Sequence, residues 1–222
     1  PPETMEEQGE ATLLDPKVAV REAADSARID TAAEMLINAK SPVIIAGGGV
    51  GLGNAHDALL ELAEALQAGV FTTLNGKSAI PWSNPFNLGM NRGASASTPA
   101  GKYYSEADVV IGVGSRLAGL GGSIVSGDKK VIHIDIDSEE IGRSHDNTYG
   151  LAGDGGKTMK ELASRDVVSR AETMEVRAGR AVDEDCVLLD LRHLGKDLVM
   201  TKLTQIYAEA LVKAAHLLHR TV

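Results

Sequence analysis

Ser41-Pro42-Val43-Ile44-Ile45-Ala46 runs directly into Gly47-Gly48-Gly49-Val50-Gly51-Leu52-Gly53, and an amphipathic helical pattern follows at once. The first six residues have a strand's length and are apolar on both faces, the pattern of a strand buried inside a parallel sheet. A glycine turn between such a strand and a helix lets backbone N–H groups approach a phosphate, and the helix's positive end favours the anion. The same glycines also suit a tight turn that binds nothing. Both readings stay open on this motif alone, because the acidic residue expected about 20 residues on in a dinucleotide fingerprint is absent. Thr73 stands there instead.

Working outward, two further strands of the same kind appear at Asp108-Val109-Val110-Ile111-Gly112-Val113-Gly114 and at Lys130-Val131-Ile132-His133-Ile134-Asp135-Ile136-Asp137. A helix capped by Asp30 is predicted from the spacing of Ala32, Met35, Leu36 and Ala39, stopped by Ser41-Pro42. Ala55, Leu59, Leu62, Ala63 and Leu66 form the stripe of a second helix, ended by Ala68-Gly69. Val70 to Thr73 reads as a short strand, Leu74 to Thr98 as an irregular binding loop, and Pro99 to Ser105 as a short helix. Strands apolar on both faces that alternate with helices predict a Rossmann-like α/β fold, a parallel sheet covered by helices on both sides.

Three groups of residues carry candidate chemistry. Gly47, Gly48 and Gly49 offer amides. Gly112, Gly114 and Arg116 pair an open approach with a guanidinium fork suited to phosphate. Asp135 and Asp137, at a strand end, could accept hydrogen bonds from ribose hydroxyls or could instead start a helix with Ser138-Glu139-Glu140. Three glycines between Gly119 and Gly122 predict a mobile loop nearby.

Composition narrows the class. The 222 residues are 43% hydrophobic and 24% charged, as in soluble globular proteins. A net charge of −9 argues against nucleic acid as a partner, since phosphate neutralisation needs a basic surface, but leaves a small anion possible. The single cysteine, Cys186, lies among apolar residues, which suits a buried thiol in a reducing, cytoplasmic setting. No apolar run reaches the ~20 residues that span a bilayer. Pro1-Pro2-Glu3-Thr4 lacks signal-peptide character, and the start without methionine predicts a piece of a longer chain. Residues 1–28 read as irregular linker.

The ordered set Ala39 to Val50, Glu61-Leu62-Ala63-Glu64, Thr72-Thr73-Leu74-Asn75-Gly76-Lys77 with Ile80-Pro81, Ala107 to Arg116 and His133 to Asp137 resembles the central domain of thiamine-diphosphate-dependent enzymes, nearest the acetolactate synthase group. The resemblance covers about residues 29–160, closing with Gly153-Asp154 and a helix. It implies a parallel sheet of six strands and, as in some members, a bound FAD or ADP held by Gly47, Gly48, Gly49, Thr73, Asn75, Gly76, Lys77, Gly114, Ser115, Arg116, Asp135 and Asp137. It further implies that thiamine diphosphate and magnesium lie between other domains of a parent lyase or transferase. Gly153-Asp154-Gly155 imitates the metal-binding motif of such a domain, but no asparagine follows Asn147 to complete it. The chain should therefore bind without catalysing, and the partners the resemblance implies are the parent's other domains and, in a homo-oligomer, copies of itself.

A second likeness begins at Glu161. Glu161 to Ala171, Val187 to Lys196 and Leu203 to Tyr207 resemble the flavoprotein subunit of succinate dehydrogenase and fumarate reductase, in which the arginine placed as Arg165 is here delivers a proton to a dicarboxylate. Two families in one chain suggest a chimera joined near Thr158 to Leu162. From periodicity, residues 161–178 read as a helix, 186–191 as a strand and 196–218 as an amphipathic helix, so 161–222 would be a mostly helical extension. Arg165 would then be a solvated helix residue, His193 structural, and His216 with His219 no metal pair. Three functions follow: a nucleotide-binding central domain, a flavoprotein oxidoreductase fragment using Arg165, or an empty scaffold.

Overall fold

In the computed structural model, residues 21–90, 98–119, 122–165 and 167 are described. They form a six-stranded parallel sheet made of β1 (Pro42–Ala46), β2 (Val70–Thr72), β3 (Asn87–Met90), β4 (Val109–Val113), β7 (Lys130–Asp135) and β8 (Thr148–Ala152). The order across the sheet is β3-β2-β1-β4-β7-β8, so the winding reverses between β1 and β4. A two-stranded antiparallel ribbon, β5 (Ala118–Gly119) with β6 (Gly122–Ser123), flanks residues 120–121, the middle of the glycine segment, which lie outside the described residues.

The sheet is a two-sided core because successive side chains of a strand point to opposite faces. Ile44 and Ala46 of β1, Ile111 and Val113 of β4, and Ile132 and Ile134 of β7 face α1 (Ser26–Ile37), α3 (His56–Leu66) and α5 (Gly155–Ala163). The intervening Val43, Ile45, Val110 and Val131 face α4 (Pro99–Ser105) and the segment holding Leu117 and Val125. Central strands have no solvent face, so their sequence is apolar throughout. Each fully buried Ile or Leu contributes about 1.5–3 kcal/mol relative to leaving it exposed. On the α4 face, Phe71 and Tyr104 meet edge to face at 5.6 Å, and the Tyr103 hydroxyl accepts the Gly69 amide at 3.1 Å.

Several local expectations are corrected. The first helix starts at Ser26, with Asp25 rather than Asp30 as its cap: the Asp25 carboxylate accepts the Arg28 amide at 3.1 Å. Starting there buries Ile29, Ala32, Ala33 and Leu36 as one stripe. The glycine run does not lead straight into the long helix. It forms its own short helix α2 (Gly48–Leu52), which breaks at Gly53 to Ala55, with Asn54 at φ 50°, before α3 begins. The expected loop Leu74 to Thr98 contains β3, an edge strand paired with β2 through an irregular register. Ser138-Glu139-Glu140 form turns, not a helix start. The last described helix runs Gly155–Ala163, capped by Asp154 and ended at Ser164, so no helix begins at 161. Residues 168–222, with Cys186, His193, His216, His219, the strand at 186–191, the helix at 196–218 and nearly all of the flavoprotein likeness, lie outside the described residues.

Candidate functional site

Where the strand order reverses, the connections leaving β1 and β4 diverge to opposite sides of the sheet and leave a crevice at the strands' carboxyl ends. Here that crevice is a cleft of about 1790 Å³. Gly48, Gly49, Thr73, Asn75, Gly114, Ser115, Arg116, Asp135 and Asp137 all line it. Gly47, Gly76 and Lys77 do not, although the sequence put them with the others.

The glycines have a different use from the one expected. A Cβ on Gly47 would lie 2.2 Å from the Gly114 carbonyl oxygen, and one on Gly76 would lie 2.3 Å from the Ala46 carbonyl oxygen. Gly114, at φ +56°, presses its Cα side against Gly49. The turns after β1, β2 and β4 are therefore packed backbone on backbone, at distances that only a missing side chain permits. The amides follow suit: Gly47 N–H donates to Val113 O at 2.8 Å, Gly49 N–H to Gly114 O at 3.0 Å and Val50 N–H to Gly47 O at 3.2 Å. Of the three amides expected to face a diphosphate, those of Gly47 and Gly49 are satisfied inside the protein, whereas the Gly48 amide has no acceptor among the described residues.

What remains for a ligand is side-chain chemistry. Arg116 is exposed and, among the described residues, makes no hydrogen bond or ion pair. Asp135 and Asp137 each spend one oxygen on the turn that follows β7: Asp135 Oδ1 accepts from Asp137 N and Asp137 Oδ1 from Glu139 N, both at 3.0 Å. Their Oδ2 atoms accept nothing from the described residues, so the turn-forming and ligand-accepting roles coexist. Thr73 hydroxyl accepts the Gly76 amide at 3.1 Å, shaping the turn that carries Asn75. At the rim, Leu52 is 88% exposed, and Leu74, Met90 and Ile136 are also open to solvent.

Sequence reasoning missed several lining groups. His56, whose Nδ1 lies 3.0 Å from Ala79 O, gave no signal, and Glu140, ion-paired with Arg143 at 2.8 Å, was read only as part of a helix start. Asp154 to Gly156 close one side, and there Asp154 Oδ1 accepts the Lys157 amide at 3.0 Å as a helix cap. That cap explains Gly153-Asp154-Gly155 without a metal. Among the described residues no three His, Cys, Asp or Glu side chains gather to hold one. Arg165 is not in the cleft lining. Its Nε donates to Asp30 at 3.0 Å and its guanidinium reaches Ser26 Oγ at 2.9 Å, tying the end of α5 to α1. It is a tether rather than a solvated residue. No described helix is long and apolar enough to cross a membrane.

Residues 29–162 match the family described as "Thiamine pyrophosphate enzyme, central domain". A "Probable acetolactate synthase large subunit" from Methanococcus aeolicus is 41% identical over 138 residues, 61% of this chain and 23% of that protein. A "Sulfoacetaldehyde acetyltransferase" from Roseovarius nubinhibens is 35% identical over 158 residues, 68% of this chain and 26% of that protein. A solved structure from Mycobacterium smegmatis, described as thiamin diphosphate-dependent, shares 26% identity at a TM-score of 0.55 and covers 67% of this chain and 29% of its own. The chain thus spans about a quarter of the length of these curated relatives. None of those named is a flavoprotein subunit.

Proposed function

Since the chain belongs to the thiamine pyrophosphate enzyme central-domain family over residues 29–162, we propose that its cleft binds a nucleotide, FAD or ADP, as a cofactor-holding element without an active site of its own. The observation that carries this reading is the Arg116 guanidinium, without a partner among the described residues, in one cleft with the spare oxygens of Asp135 and Asp137. A guanidinium suits a diphosphate, and carboxylate oxygens suit ribose hydroxyls. With the amides of Gly47, Gly49 and Val50 committed internally, Arg116 supplies the anion contact and the glycines supply shape. Gly48, Asn75 and Ser115 complete the wall beside it.

The thiamine cofactor and its magnesium do not fit the described residues, because Asp154 is committed as a helix cap and no metal-holding cluster accompanies it. They belong to the other domains of a parent protein, which we read as an acetolactate synthase-like transferase or lyase of the cytoplasm. Those domains are the partners proposed for this one, with self-association a further possibility for the assembled parent.

Adding FAD and ADP separately and following the thermal midpoint tests the reading. A ligand at 100 times its dissociation constant stabilises by ~2.7 kcal/mol, which for a chain of this size raises the midpoint by about 5–10 °C. Arg116→Ala should weaken the bound nucleotide about 10- to 100-fold, as loss of a charge-assisted contact does. One observation favours an empty scaffold instead, namely the internal satisfaction of the Gly47 and Gly49 amides. No shift with either nucleotide would establish that alternative. The oxidoreductase alternative has no comparable support, since Arg165 is held by Asp30, Ser26 and Glu161.

A further inference from the structure

His133 is a titratable side chain buried on β7, between β4 and the edge strand β8, 2% exposed, beside the cleft but not lining it. Its register partners are glycines on both sides, Gly112 of β4 and Gly150 of β8. The space they leave is filled from above: a Cβ on Gly112 would lie 2.7 Å from Leu117 Cδ1, and one on Gly150 2.4 Å from Ile141 Cγ2. The imidazole therefore stands in a slot walled by Leu117 and Ile141.

Both ring nitrogens are engaged, and in opposite senses. Nε2 lies 2.7 Å from the Ser115 carbonyl oxygen, which can only accept, so Nε2 carries the proton. Nδ1 receives the Gly142 amide at 3.4 Å, so it must be bare. Only the neutral Nε2–H tautomer satisfies both, an assignment made from the bonding network. Ser115 precedes Arg116 on the turn leaving β4, and Gly142 closes the turn that carries Asp137 and Glu140 after β7. One ring thus joins the two stretches that bring the guanidinium and the carboxylates to the cleft.

We infer that His133 is the positioning residue of this cleft, a neutral strut that fixes the Arg116 turn relative to the Asp135–Glu140 turn and releases the second of them when the ring is protonated. The inference rests on the nucleotide reading for its effect on affinity, but not for the strut itself. The polar groups facing the ring favour its protonation, and burial outweighs them. Burial pushes His133 below its ordinary value, opposed by the Ser115 carbonyl and by the carboxylates of Asp135 and Glu140. Glu140 carries Arg143, the turn held by Nε2 carries the cation Arg116, and the register neighbours on β4 and β8 are the uncharged Gly112 and Gly150, with Leu117 and Ile141 against them. A proton added at Nδ1 would point at the Gly142 N–H, donor against donor, and that bond could not persist.

Imidazole 15N resonances of the unliganded full chain test the strut directly. The expected result is the Nε2–H tautomer, a midpoint below 6.5, and amide shifts at Ser115, Arg116 and Gly142 that move with that midpoint. The Nδ1–H tautomer, a midpoint of 6.5 or above, or amides that ignore the titration would overturn it. ADP affinity from pH 8 to pH 5 tests the consequence: the wild type should weaken about tenfold more than His133→Gln, which keeps a donor for Ser115 and does not titrate. The Gln variant also reports the nucleotide's own protonation, so parallel profiles refute the positioning role. If ADP binds neither protein at any pH, the nucleotide reading fails, and the strut stands or falls on the resonances alone.

Discussion

Replacing Gly114 by alanine should destabilise the ligand-free protein, although the residue lies at the edge of an open cleft. Gly114 sits at φ +56°, where an alanine costs roughly 1–2 kcal/mol. Its new Cβ would lie 2.7 Å from Gly49 Cα, 2.9 Å from Gly49 C and 3.1 Å from Val50 N, all backbone atoms of the first turn of α2. That turn cannot retreat freely, because the Gly49 amide is bonded to the Gly114 carbonyl at 3.0 Å. Overpacking of this kind adds about 1–3 kcal/mol, and the two terms together come to about 2–5 kcal/mol. Gly51→Ala is the matched control: nothing lies within 4 Å of its Cβ position, and it is inside α2, so alanine should be stabilising by about 0.5–1 kcal/mol. Equilibrium urea denaturation of the two variants, with no nucleotide present, makes the comparison. If Gly114→Ala falls within about 0.5 kcal/mol of the parent, the glycines are not there to let the turns pack, and the account of the cleft wall is wrong.

Two other outcomes follow from the same bonds. Asp154→Ala removes the acceptor of the Lys157 amide and should cost about 0.5–2 kcal/mol with some loss of helical ellipticity, while Asp154→Asn should recover most of it. Stability should also depend on pH through His133, whose folded value is depressed. Below the unfolded value of about 6.5 the unfolded chain binds more protons, so stability is full above that pH and is lost as pH falls toward the folded midpoint. Denaturation midpoints of wild type and His133→Gln between pH 8 and pH 5 should diverge in that window, with the Gln variant the flatter.

The cleft shows how far local pattern carries. Arg116, Asp135 and Asp137 were legible because they stand at the ends of unmistakable apolar strands, and such ends converge at the carboxyl edge of any parallel sheet. The glycines were legible as a turn but not in their purpose. A glycine spared for a phosphate and one spared for another turn look the same in sequence. His56 gave no signal, Glu140 was read only as part of a helix start and Asp154 only as part of a metal-motif imitation, because all three reach the cleft from connections whose course depends on where their strands are placed. His133 was quoted only as part of a strand, for its bonds run to carbonyl and amide groups that any residue could supply.

By itself, the sequence determined that β1, β4 and β7 are buried parallel strands and that α3 and α4 cover them, because the spacing of apolar residues is a local property that burial on both faces imposes directly. The tertiary structure alone decided the edge strands Asn87–Met90 and Thr148–Ala152, the start of α1 at Ser26 and the internal use of the Gly47 and Gly49 amides. Each of these depends on a partner distant in the chain: edge strands are held by pairing rather than by propensity, and a backbone donor goes to whichever carbonyl the packed turns bring within 3 Å.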